Sequence, residues 1–227
     1  MPYLILLILI IAAIFGPQWW AHHTFRRYSK SRDDIPGTGG ELAQHLLMRM
    51  HVDTVGVEQT DKGDHYDPTA RMVRLSPENF AGRSLTAVAV AAHEVGHAIQ
   101  HHHKEPLLAT RTRLVTLAHW GEKVGAALMF AIPLVTLITR IPQSGLLFFV
   151  LGFISMGLAT LVHLVTLPVE WDASFNKALP LLKGGNYIVE RDERAVRQIL
   201  RAAALTYVAA SLASLLNLAR WMAFLRR

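Results

Sequence analysis

Four long apolar runs divide the chain, and the stretches between them carry the shorter periodicities of amphipathic helices and strands. Tyr3 to Phe15 is almost wholly Leu, Ile and Ala, and leads through Gly16-Pro17-Gln18 into Trp19-Trp20. Val124 to Thr139 and Leu146 to Leu167 are the second and third runs, separated only by the turn Arg140-Ile141-Pro142-Gln143-Ser144-Gly145; Ala202 to Phe224 is the fourth. About 20 apolar residues cross the ~30 Å hydrocarbon layer as a helix, so these runs read as transmembrane spans, the middle two as a hairpin.

Between the runs the pattern changes. Ser29 to Gly40 is a polar, Gly/Pro-rich linker, and Glu41 to Met50 has helical spacing. Val52 to Glu58 alternates as a strand does, Thr60-Asp61-Lys62-Gly63-Asp64 is turn chemistry, and Arg71 to Ser76 alternates again. Leu85 to Ala92 opens a helix of small apolar residues that Ser84 or Thr86 can cap. Leu107 to Trp120 predicts a separate amphipathic helix carrying Arg111 and Arg113. After Pro168, Gly184-Gly185 marks a turn and Glu190 to Arg201 a charged helix.

Composition sharpens this. Of 227 residues, 52% are hydrophobic, and the mean hydropathy is +0.27. There is no cysteine, which excludes disulfides, thiolate ligands and a cysteine nucleophile, so any metal must be held by His, Asp or Glu. That donor choice favours a hydrolytic zinc over a structural zinc finger. The net charge of +6 comes from basic residues beside apolar runs. It matches anionic headgroups and the positive-inside rule better than nucleic acid, for which the sequence has no motif. Arg26, Arg27, Lys30 and Arg32 all follow the first run and none precedes it, as expected of an uncleaved anchor with its N-terminus outside. Most of the 23 Lys and Arg lie between the first and second runs or the third and fourth, and only Arg140 lies in the hairpin turn. Those intervening segments are therefore expected in the cytoplasm, although Arg220 near the end of the last run, with Arg226 and Arg227 after it, breaks the pattern.

The candidate chemistry sits in His93-Glu94-Val95-Gly96-His97, an H-E-x-x-H sequence. On a helix, residues at i and i+4 share a face, so both imidazoles can hold one Zn²⁺ while Glu94, to one side, serves as general base. A catalytic zinc needs a third protein ligand, and two candidates are open. His103 has the spacing of a third histidine, but Gln100 stands where a glycine would let the chain turn back. Glu170 follows the hairpin at Pro168, on the side of the membrane from which the hairpin departed, and would complete a His₂Glu set. Asp172 is a candidate acceptor for a ligand imidazole. His163, near the end of the third run, reads as a structural histidine.

His65-Tyr66-Asp67-Pro68, Val73-Arg74-Leu75-Ser76, AAHEVGHAIQ, LPVEWDAS and the stretch from Ala202 to Ala210 occur in this order over nearly the whole chain. Together they resemble the YugP-type neutral zinc metallopeptidases of bacterial membranes. The layout is also similar to the HtpX-like membrane gluzincins, in which a transmembrane hairpin separates the two-histidine helix from a glutamate helix. The resemblance implies His93, His97 and Glu170 as ligands of one zinc per chain, and Glu94 as base. Where the HtpX-like pattern E-x-x-A-D ends in aspartate, this chain has Ser174.

The expected fold class is a mainly α membrane protein, with about four transmembrane helices and a small α+β zincin-like cytoplasmic catalytic domain. Its divisions are an anchor over residues 1–25, a zincin-like segment over 26–123, the hairpin over 124–168, a glutamate helix and cytoplasmic segment over 169–201, and a transmembrane or membrane-associated helix over 202–227. The expected activity is zinc-dependent hydrolysis of membrane-associated or misfolded polypeptides at the cytoplasmic face of the inner membrane, with the bilayer and the polypeptide as partners. Tyr207, Arg197 and His65 are candidate oxyanion donors. The Val73-Arg74-Leu75-Ser76 strand is either structural or a template for an extended substrate. The alternative function is a catalytically silent zinc-binding scaffold.

Overall fold

The computed structural model describes residues 2–206, so Tyr207 and most of the fourth apolar run lie outside the described residues. The chain is mostly helical, with one three-stranded sheet. Its order is α1 (Pro2–Arg27), α2 (Gly39–Arg49), β1 (Gly56–Gln59), β2 (His65–Asp67), β3 (Met72–Leu75), α3 (Pro77–Phe80), α4 (Leu85–His102), α5 (Pro106–Thr139) and α6 (Pro142–Val165). Then come α7 (Leu167–Trp171), a π-helical segment (Asp172–Ala178), α8 (Leu179–Gly184) and, after one 3₁₀ turn, α9 (residues 193–206). Two compact units emerge, one of residues 19–109 and 168–206, the other including residues 2–18 and 110–167.

The first of these units is built around α4. Ser84 caps the helix by accepting the Ala87 N–H at 3.1 Å, and every residue from Leu85 to Gln100 is buried. A helix apolar on all sides must be wrapped on all sides. Here Leu46 and Leu47 of α2, Val73 and Leu75 of β3, Leu182 of α8 and Ile199 and Leu200 of α9 share one core with Val95 and Ile99. α2 begins inside the expected linker, because Thr38 and Glu41 form a reciprocal capping box that fixes its first turn.

The sheet corrects one expectation. Its strand order is β1-β3-β2, with β1 parallel and β2 antiparallel to β3. The strand from Val73 to Leu75 is therefore central, its backbone groups paired on both sides, and it has no free edge for a substrate strand. Val73 and Leu75 face the core, Arg74 pairs with Glu58 and Asp67, and the Ser76 N–H and hydroxyl both donate to Asp64.

In the other unit, α5 runs unbroken through the predicted boundary near Gly121. A glycine inside a helix costs about 1 kcal/mol relative to alanine, too little to end a 34-residue helix. α5 stops at Arg140, which takes a left-handed φ of 56°, and α6 restarts at Pro142, so the expected six-residue turn shrinks to two residues. The helices pack antiparallel through small residues: Gly121 lies by Ser155, Gly152 by Met129 and the Gly125 carbonyl, and Gly145 by Thr136. Small residues at these points let the two backbones come into close contact. Among the described residues, α5 alone satisfies length and composition together as a membrane span. Against the about four spans expected, the described residues give this one candidate.

Candidate metal centre

α4 presents His93 and His97 on one face, with ring centroids 4.8 Å apart. Opposite them, α7 brings in Glu170, wholly buried. Its Oε2 lies 3.1 Å from His97 Nε2 and 3.4 Å from His93 Nε2, and one donor atom from each residue falls within 4.8 Å of the others. Among the described residues this is the one group of His, Asp and Glu side chains so placed.

The other ring nitrogens fix the tautomers. Gln100 donates its amide N–H groups to the Val169 carbonyl at 3.0 Å and to Asp172 Oδ2 at 2.8 Å. Its Oε1 therefore faces His97 Nδ1, 2.9 Å away, and accepts a proton that must reside there. Ser174 works likewise on the other ring. Its hydroxyl donates to the Leu200 carbonyl at 3.1 Å, leaving its oxygen to accept from His93 Nδ1 at 2.9 Å. Both Nε2 lone pairs thus turn toward Glu170. Two lone pairs and a carboxylate converging out of water repel one another unless a proton or a cation lies among them, and one proton would serve only one imidazole. Two imidazolium rings would instead bury two positive charges against one negative. A divalent cation satisfies all three groups, and nitrogen with carboxylate oxygen is a donor set zinc accepts.

Backbone shape makes the approach possible. A Cβ added at Gly96 would stand 2.6 Å from the Ala173 carbonyl oxygen, so glycine alone lets α4 touch the segment after Glu170. That segment is π-helical, its wider turn closed by the Leu179 N–H to the Ser174 carbonyl. Gly96→Ala is expected to destabilise the protein by about 1–3 kcal/mol, read as a lower unfolding midpoint in detergent. An unchanged midpoint would mean that the segments separate without cost.

Asp172 does not reach an imidazole; it stands one step back, on Gln100. Burial opposes its ionisation, but hydrogen bonds from Gln100 and Asn176 and the nearby Lys177 outweigh that and hold the carboxyl below its ordinary range. Glu94 is buried on α4 at 7% exposure. His103 is exposed at the C-cap of α4, since the helix continues past Gln100 to His102. Arg197 pairs with Glu193 at 2.7 Å, and His65 bonds the Gly63 carbonyl at 2.8 Å. His101, one turn beyond His97, bonds the Tyr66 hydroxyl at 2.6 Å and so ties β2 to the end of α4. Burial, with the charge of Arg71, holds the His101 imidazole below its ordinary range, and burial pushes the Tyr66 hydroxyl up to about 12.

Sequence reasoning passed over Gln100 except as a missing glycine. The signal was there: it is a polar residue three positions after His97, on the same face of an otherwise apolar helix. The Leu200 carbonyl and the Gly96–Ala173 approach left no local mark.

Two histidines on one helix and a glutamate from another, closed around a buried point, form the kind of metal centre that zinc-dependent hydrolases use. The chain belongs to the family described as "Putative neutral zinc metallopeptidase", whose model matches residues 3–226. It is 37% identical over 224 residues to the "Putative membrane protease YugP" of Bacillus subtilis (strain 168), covering 96% of this chain and 95% of that protein. No solved structure matches it.

Proposed function

We propose that the protein is a membrane-embedded zinc endopeptidase of the gluzincin type, hydrolysing peptide bonds of membrane-associated or misfolded proteins at the cytoplasmic face. One zinc per chain would be held by His93, His97 and Glu170. The observation that carries this reading is the buried convergence of two Nε2 atoms and one carboxylate, each imidazole held in the ligating tautomer. The name of the Bacillus relative, a membrane protease, supports it.

When bound, zinc supplies polarisation of the scissile carbonyl and a water acidified toward ~7. Glu94 follows the ligand His93 directly, about 100° around α4, and so flanks the centre without ligating. It takes the proton of the attacking water and delivers it to the leaving amine nitrogen. Burial of the ligand set keeps bulk water from competing for the same groups. Tyr207, Arg197 and His65 remain candidates for the second oxyanion donor.

Membrane insertion is supported by the surface of α5 and α6. Phe130, Leu134, Leu137, Ile138, Leu146 and Leu147 are all more than half exposed, an apolar patch that water penalises and lipid does not. α1 and α6, of 26 and 24 residues, are about 36–39 Å long at 1.5 Å per residue, enough to span as well. Because the chain has no cysteine, single cysteines report topology cleanly. Cysteine at exposed Lys62 is expected to be labelled only from the cytoplasmic side, and at exposed Gln143 only from the opposite side. Equal labelling of both from one side would remove the hairpin.

The reading is tested on purified full-length protein in detergent with casein as substrate. Cleavage is expected, with loss on chelation and recovery on adding zinc. Protein that binds zinc stoichiometrically and cleaves neither casein nor membrane-protein substrates would instead be the silent scaffold.

A further inference from the structure

The two halves of the metal centre come from segments more than 70 positions apart, and one amide joins them. Gln100 lies on the histidine helix, yet its NH₂ group holds the Val169 carbonyl, the residue before Glu170, and the Asp172 carboxylate, two residues after it. Its oxygen meanwhile holds His97. An amide can sit either way round, and the two orientations have opposite consequences. As found, Oε1 accepts from Nδ1–H and leaves Nε2 free to ligate. Reversed, the NH₂ group would face Nδ1, favour the other tautomer and turn an Nε2–H toward the metal position. The reversed amide would also set its oxygen against two acceptors, Val169 O and Asp172.

Asp172 is itself held in place. Asn176 donates to its Oδ1 at 2.7 Å. Lys177 lies 3.5 Å from its Oδ2 and bridges to Glu105 at 2.9 Å. The Glu105 N–H in turn donates to the Gln100 carbonyl at 3.0 Å, closing the ring back on α4. With Asn176 and Lys177 facing its oxygens, Asp172 presents an acceptor to Gln100, as the Val169 carbonyl does, and two acceptors side by side fit only the NH₂ end of the amide.

We infer that Gln100, oriented by Asp172, is a positioning residue that fixes the His97 tautomer and binds the glutamate segment to the histidine helix. This rests on the zinc reading of the same centre. Asp172 acts on the metal only through Gln100, so the two residues work in series. The His97 tautomer is the readout that a merely structural role for either would leave unmoved.

The test is equilibrium zinc affinity of the full-length protein in detergent, by competition with a chromogenic chelator, for wild type, Gln100→Met, Asp172→Asn and the double variant. Gln100→Met is expected to weaken zinc binding about 10–100-fold, as outer-shell changes do. Asp172→Asn touches no ligand and nearly preserves shape, yet is expected to weaken binding in the same direction, because it leaves the Val169 carbonyl alone to select the amide orientation. The double variant is expected to bind as Gln100→Met does, since members of one series do not add. Losses that multiply, or Asp172→Asn at wild-type affinity, overturn the inference. A wild type that binds no zinc overturns the metal-centre reading instead.

Should Gln100→Met not fold, ¹⁵N-histidine spectra of zinc-free wild type and Asp172→Asn decide the matter. His97 is expected to carry its proton on Nδ1 in wild type and to populate the Nε2–H tautomer in part in the variant, where only the Val169 carbonyl still selects the amide orientation. One unchanged tautomer in both contradicts the inference.

Discussion

Replacing Glu94 by glutamine is expected to leave zinc bound and to lower peptide hydrolysis about 100- to 10,000-fold, the usual contribution of a positioned general base. The substitution keeps the size of a side chain that is 7% exposed, so the packing of α4 has little reason to change. What it removes is basicity beside the point where His93, His97 and Glu170 converge. The measurement is zinc content and casein cleavage on the same preparation. Loss of zinc together with activity would make Glu94 a ligand rather than a base. Full activity with zinc retained would place the base elsewhere.

Glu170→Ala is expected to have the largest effect on metal binding. Glu170 is wholly buried and supplies the one carboxylate of the cluster, so its removal leaves two imidazoles to hold the ion. Zinc affinity should fall well beyond the about 10–100-fold of an outer-shell change, and hydrolysis should disappear with it. His103→Ala is the informative companion. His103 lies exposed at the end of α4, and its removal should leave zinc content and cleavage as in wild type. Retained zinc in Glu170→Ala with loss in His103→Ala would reverse the ligand assignment.

What could be read in the sequence follows from how local the cause is. The H-E-x-x-H spacing places two imidazoles on one helical face because 3.6 residues make a turn, a purely local fact. Ser84 as cap of α4 is local in the same way, being decided by one hydroxyl and one N–H three residues on. The alternation of Met72 to Leu75 also showed a strand, but alternation says nothing about neighbours. Its central place depends on β1 and β2, which arrive from elsewhere in the chain. The same limit explains Gly96, whose reason is the Ala173 carbonyl 77 positions away, and the π-helical segment, which packs against α4. Helix α5 departs in the opposite sense: the pattern predicts a helix over Leu107 to Trp120 apart from the run that starts at Val124, whereas nothing between them costs enough to break a helix.

Ser174 and Gln100 illustrate a division of labour that sequence patterns record poorly. Ser174 from the glutamate side holds His93, and Gln100 from the histidine side holds His97 and the backbone before Glu170. Each half of the centre is thus fixed by the other. Both acceptors are neutral, a hydroxyl and an amide oxygen. The Asp172 charge reaches His97 only through an amide.

The most direct test of the metal centre is X-ray absorption at the zinc edge of purified, zinc-loaded wild-type protein. The proposed site predicts one zinc per chain, two imidazole nitrogens and oxygen donors, all at about 2.0–2.2 Å. A shell with three imidazoles, or zinc that shows no imidazole scattering, would contradict the site formed by His93, His97 and Glu170.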